Sequence, residues 1–213
     1  MNQVRAARPS AWNLANALTA GRLLLVPVFW VLLMHDGGSH ARWRVAAFFV
    51  FVVAALTDRY DGELARRRGQ VTDLGKIADP IADKALVGAA LVGLSLLGQV
   101  AWWVTVVILA REVAVTAVRF AVIRHGVIAA SRGGKAKTLL QAVAIGLYVL
   151  PLSGLSHTVA AVTMGLAVLV TLVTGADYLL QAVRLRRVSE RTAARKAARE
   201  RSREVRELGE RAP

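Results

Sequence analysis

Apolar residues cluster in six long runs, near Leu14 to Met34, Val45 to Leu56, Ala82 to Val100, Val104 to Val122, Leu139 to Leu155 and Val159 to Ala182. Each approaches the roughly 20 residues that a helix needs to cross hydrocarbon. The pattern predicts an all-α integral membrane protein, a bundle of about six transmembrane helices. The second helix should run on into a polar stretch, TDRYDGELARRRGQVTDLGKIADPIADKALV, from Thr57 to Val87. The first run follows Arg5 and Arg8, as a cleaved signal would. Its apolar part exceeds the roughly 7 to 15 residues of a signal core and no small-residue cleavage site follows, so a retained helix is expected.

No internal repeat or long linker interrupts this pattern, which changes once, near Arg184, where RLRRVSERTAARKAARERSREVRELGERAP begins. Residues 1–183 are therefore expected to form a transmembrane domain and 184–213 a basic cytoplasmic tail. The tail reads as a helical extension, either drawn to anionic lipid head groups or simply solvated. The second reading, either a solvated helix with i,i+4 ion pairs or a partly disordered tail, is favoured, and neither reading makes the tail catalytic.

Composition agrees with a membrane location: 55% of the 213 residues are hydrophobic, more than a soluble domain of this length carries. Mean hydropathy is +0.47. The formal net charge of +14 is unevenly spread. Arg5 and Arg8, then Arg66, Arg67, Arg68 and Lys76, then Arg124, Arg132, Lys135 and Lys137, then the tail, alternate with two loops, Leu96 to Trp103 and Pro151 to Thr158, that have neither Lys nor Arg. The positive-inside tendency puts both termini and the polar stretch at the cytoplasmic face of the cell membrane. Arg42 and Arg44, in the first external loop, go against it. The absence of cysteine excludes disulfides, thiolate catalysis and thiolate metal sites.

The polar stretch holds the candidate chemistry. Asp58 and Asp61 are three apart at the end of the second helix, and Asp79 and Asp83 four apart at the start of the third, so each pair shares a helical face. A short connection, roughly Arg67 to Gly75, makes the two helices antiparallel neighbours and lets both pairs converge near the cytoplasmic surface. Four unpartnered carboxylates in a low dielectric repel strongly, so a cation is expected among them. Aspartates without His or Cys suit Mg2+ or Mn2+, and two such ions are a recurrent device for displacement at phosphorus. Gly62 and Gly75 would let a ligand or a neighbouring helix approach the backbone, and Arg66 could meet a phosphate. Asp73 is read as a solvated loop residue.

The stretch fits the spacing D(x)2DG(x)2AR(x)8G(x)3D(x)3D throughout, at Asp58, Asp61, Gly62, Ala65, Arg66, Gly75, Asp79 and Asp83. This resembles the signature of the CDP-alcohol phosphatidyltransferases. NLANALTAGRLLLVP in the first run, DPIADKALV after the signature, REVAVTAVR in the fourth run and GKAKTLLQ before the fifth resemble the branch of that family that makes phosphatidylglycerophosphate. The resemblance implies a six-helix membrane enzyme, often a homodimer, open to the cytoplasm. It implies transfer of the phosphatidyl group of CDP-diacylglycerol to sn-glycerol 3-phosphate with release of CMP. It further implies that Asp58, Asp61, Asp79 and Asp83 hold two divalent ions, that Asp83 also takes the acceptor's proton, and that Gly62, Arg66 and Thr72 contact the nucleotide, beside Ala65 and Gly75 of the same signature.

An acceptor that brings its own phosphate needs further cations. Arg111 and Arg119, eight apart in the fourth run, and Lys135 and Lys137, at the start of the fifth, are the candidates. The bland readings are a structural pair between Arg111 and Glu112, and simple topology for the lysines. Asn13, Asn16, Thr19 and Arg22 form a polar stripe at the start of the first helix, facing the donor or satisfying neighbouring backbone; Asn16 and Thr19 are the chosen donor contacts. Trp102 and Trp103 read as interfacial anchors and the four histidines as incidental. Competing readings are an inositol phosphate acceptor on the same metal site, a divalent-ion or proton-coupled transporter, and a membrane scaffold using the tail. Membrane lipids are expected around the chain, and no nucleic-acid partner.

Overall fold

The computed structural model describes the backbone of residues 14–68, 73–122 and 132–210, and side chains over 19–57, 81–82, 84–118, 134 and 136–185. Among these residues the chain is all helical. The helices are α1 (Leu14–Met34), α2 (Ala41–Arg68), α3 (Asp73–Leu96), α4 (Trp102–Val122), α5 (Arg132–Val149) and α6 (Leu155–Glu210), with a short 3-10 turn at His35–Gly38.

The helices share one core. Phe29 and Leu33 of α1, Phe51 of α2, Leu86, Ala90 and Leu94 of α3, Ile108 of α4, Ile145 and Val149 of α5, and Met164 and Val168 of α6 are buried in a single cluster. Most recur four residues apart, the spacing that stacks side chains on one helical face. Fully buried alanines, Ala47, Ala54, Ala144 and Ala167, let neighbouring helices approach closely. α1 packs chiefly on α2 and α3, whereas α6 packs on α4 and α5.

Outward, the bundle is apolar. Leu24, Val28 and Val31 of α1, and Leu166, Leu169, Leu172, Val173, Leu180 and Val183 of α6, are exposed. Soluble monomers rarely present contiguous apolar surface on this scale. Two stretches, Thr19–Gly38 and Leu155–Leu185, are long and apolar enough to cross a membrane, and Lys84–Leu96 and Ala136–Val149 are shorter apolar helices. These are the features of a membrane protein.

Several helix ends depart from the apolar runs, and three departures have a clear cause or consequence. The third run extends to Val100, but α3 stops at Leu96, because Gly98 takes a left-handed conformation (φ 68°). The Gly98 N–H donates to the Ser95 carbonyl (3.0 Å) and the Gln99 N–H to the Leu94 carbonyl (2.9 Å), a Schellman ending. The fifth run extends to Leu155, but α5 stops at Val149, shortly before Pro151. The tail brings no break at all: α6 crosses residue 184 as one helix of 56 residues.

Arg44, which runs against the charge asymmetry, has a packing role. Its Nε donates to the Val149 carbonyl (2.9 Å) and its Nη2 to Gln99 Oε1 (2.5 Å) and to the Tyr148 carbonyl. A buried cation thus caps the orphan carbonyls that end α5 and ties them to α2 and to the turn after α3.

Candidate functional site

α2 and α3 pack against one another and carry the signature between them. Asp58, Asp61, Gly62, Ala65 and Arg66 lie within α2, while Gly75, Asp79 and Asp83 lie within α3. Both aspartate pairs therefore sit on continuous helix, where spacings of three and four put their Cα atoms on one face. The two helices extend further toward each other than expected. α2 reaches Arg68 and α3 starts at Asp73, so Asp73 begins a helix instead of sitting in a loop. An acidic residue at a helix start complements the helix dipole. The side chains of these signature residues, and Thr72 altogether, lie outside the described residues.

A second polar cluster joins four helices. Glu112 of α4 is its centre, with its side chain 17% exposed. Arg111 Nη1 donates to Glu112 Oε1 (3.1 Å) and Lys137 Nζ of α5 donates to the same oxygen. Lys137 is buried. From α3 the charge of Lys84, the residue after Asp83, also reaches Glu112. From α6, Thr174 completes the arrangement: its Oγ1 accepts from Arg111 Nη2 (3.2 Å) and is oriented by the Val170 carbonyl (2.7 Å). Arg111 fits because residue 175 is glycine. A Cβ there would lie 3.0 Å from Arg111 Cγ and 3.3 Å from its Nε.

Arg111 and Lys137 thus meet Glu112 inside a largely apolar bundle, and Lys84, the residue after the acid site's last aspartate, adds its charge from α3. Arg111 Nε is buried and has no hydrogen-bond partner among the described residues. Cations held this way can bind a phosphate group, which accepts several charge-assisted hydrogen bonds at once.

Comparison with known proteins decides the family. Residues 12–173 match the CDP-alcohol phosphatidyltransferase family, which covers both the signature helices and the cation cluster up to α6. The chain belongs to that family. It is 56% identical over 179 residues to a probable phosphatidylglycerophosphate synthase of Mycobacterium tuberculosis, covering 84% of this chain and 86% of the relative. It is 36% identical over 180 residues to a CDP-diacylglycerol–glycerol-3-phosphate 3-phosphatidyltransferase of Bacillus subtilis, covering 78% and 93%. The same name is carried by an Escherichia coli relative, 40% identical over 141 residues, covering 63% and 75%.

As a member of this transferase family, the chain carries two sets of candidate contacts with differing visibility. Of the expected phosphate-binding cations, Arg111 and Lys137 are brought together, whereas the side chains of Arg119, on α4, and Lys135, on α5, lie outside the described residues. On α1, Thr19 and Arg22 are both buried, so this part of the polar stripe faces the bundle interior. The Asn16 side chain and Asn13 lie outside the described residues. Trp102 and Trp103 are exposed at the first turn of α4, as interfacial anchors would be.

Sequence reasoning treated Glu112 only as a neighbour of Arg111 and did not single out Lys84, Thr174 or Gly175. The available signal was an acidic residue in the middle of an apolar run, which rarely persists without a role.

Proposed function

We propose that this chain transfers the phosphatidyl group of CDP-diacylglycerol to sn-glycerol 3-phosphate, giving phosphatidylglycerophosphate and CMP. Family membership and the names that its relatives carry support this, and set aside the transporter and scaffold readings. The observation that supports the choice of acceptor is the pair of largely buried cations, Arg111 and Lys137, held together on Glu112, since one carboxylate balances only one of the two charges and an acceptor phosphate would balance the other.

The donor set fits hard divalent ions: four aspartates on two packed helices, without sulfur or imidazole. Asp58, Asp61, Asp79 and Asp83 would hold two Mg2+ or Mn2+ ions, which when bound neutralise the pyrophosphate and the charge developing on CMP. Asp83 takes the proton of the acceptor hydroxyl. The acceptor oxygen forms its bond to the phosphatidyl phosphorus as the bond to CMP breaks, in one in-line displacement without a covalent enzyme intermediate. Gly62, Ala65, Arg66, Thr72 and Gly75 hold the nucleotide, with Asn16 and Thr19 toward the donor. Arg111, Lys137, Arg119 and Lys135 hold the acceptor phosphate and so fix the reacting hydroxyl.

The proposed setting is the cell membrane, crossed six times, with the site and both termini at the cytoplasmic face and a homodimer as the assembly. The test is CMP release by the purified protein in detergent with Mg2+ or Mn2+, offering glycerol 3-phosphate, inositol phosphate, phosphatidylglycerol and serine separately. Release that needs both metal and glycerol 3-phosphate is expected. Release with inositol phosphate alone would reassign the acceptor.

A further inference from the structure

Glu112 raises a question that phosphate binding by itself does not answer. An anion placed among the cations of a phosphate site competes with the ligand for them, so a carboxylate there should weaken binding unless it does something else. The geometry shows what else. Arg111 and Lys137 come from different helices, α4 and α5, and both donate to the same atom, Glu112 Oε1. Two like charges in a mostly buried setting would otherwise repel and turn away. The carboxylate also uses only part of the Arg111 donor set, which has five N–H groups. Arg111 Nε is buried and unpartnered among the described residues, and Thr174 and Gly175 fix the guanidinium on its α6 side.

We propose that Glu112 is a positioning residue for the acceptor: it gathers Arg111 and Lys137 onto one carboxylate and so holds both cations, with the Arg111 donors it does not use, at one place. This rests on the reading of the cluster as the acceptor-phosphate site. In this role Glu112 acts through Arg111 and Lys137.

The test separates this role from mere stability. Glu112→Gln keeps the shape and removes the charge. Its KM for glycerol 3-phosphate should rise about tenfold or more, equivalent to about 1.4 kcal/mol of lost binding, with the KM for CDP-diacylglycerol within about twofold. Glu112→Asp, which keeps the charge on a shorter arm, should recover part of the loss. As a readout independent of turnover, glycerol 3-phosphate and inorganic phosphate should each raise the melting temperature of the unaltered protein, and raise that of Glu112→Gln much less. If Arg111→Ala and Lys137→Ala raise the acceptor KM while both Glu112 variants leave it unchanged, the positioning role is overturned and the phosphate site stands. If neither cation variant changes the acceptor KM, the site itself is misassigned and the proposal falls with it. Equal loss of affinity for donor and acceptor in Glu112→Asp would mark a structural role only and also overturn it.

Discussion

Arg111 is held by a carboxylate on its own helix and by a hydroxyl on α6, and it lies against a residue that has no side chain. The last of these makes a sharp test. Gly175→Ala would put a methyl group 3.0 Å from Arg111 Cγ, too close for ordinary contact, and the arginine must shift by a few tenths of an ångström. A several-fold rise in the acceptor KM is expected with little change in the donor KM, because positioning errors far from the bond that breaks still reach the reaction. Steady-state kinetics with each substrate varied in turn checks it. Asp83→Asn should behave differently. Loss of the proposed base should lower turnover by roughly 10²- to 10⁴-fold while the melting temperature holds, and near-normal turnover would remove that assignment. The helical placement of the aspartates was legible in the sequence because it lies in local spacing along two helices. Glu112 was not: its partners are Lys137, 25 positions away, and, through Arg111, Thr174, 63 positions from that arginine, so only the packing of α4, α5 and α6 brings them into view.

At the scale of elements, the apolar runs located all six helices, since hydrophobic length and helix length go together in a bilayer. They misplaced the ends of α3 and α5, where burial and helicity part company. Val100 is buried in the core but lies beyond the Gly98 cap, so a pattern of apolar residues counts it as helix while the backbone does not. Buried polar groups then join the elements. Ser95 Oγ and Thr105 Oγ1 lie 2.7 Å apart between α3 and α4, and Arg44 binds the end of α5. Arg44→Leu should strand the Val149 and Tyr148 carbonyls, destabilising the protein by about 1–3 kcal/mol. Both KM values should stay near their original values. A thermal melt together with kinetics checks this, and a selective change in acceptor KM would mean that the clasp is coupled to the site.

For the whole molecule, the two polar clusters predict distinct responses to their ligands. Chelation should abolish CMP release, and Mg2+ or Mn2+ added back should restore it, because four carboxylates without a cation repel one another. Deleting residues 188–213 should leave turnover in detergent within about twofold, measured by the same CMP assay, since no proposed contact lies there. The boundary expected near residue 184 is a change of composition, and the helical extension expected beyond it is part of the same unbroken helix, α6. At about 1.5 Å per residue, the 56 residues of α6 make a rod about 84 Å long. Hydrocarbon is only about 30 Å thick, so much of that rod stands outside it. The same rod carries Thr174 and Gly175, which hold Arg111 in place. With no break between them, the basic arm and the residues that grip the arginine belong to one continuous element.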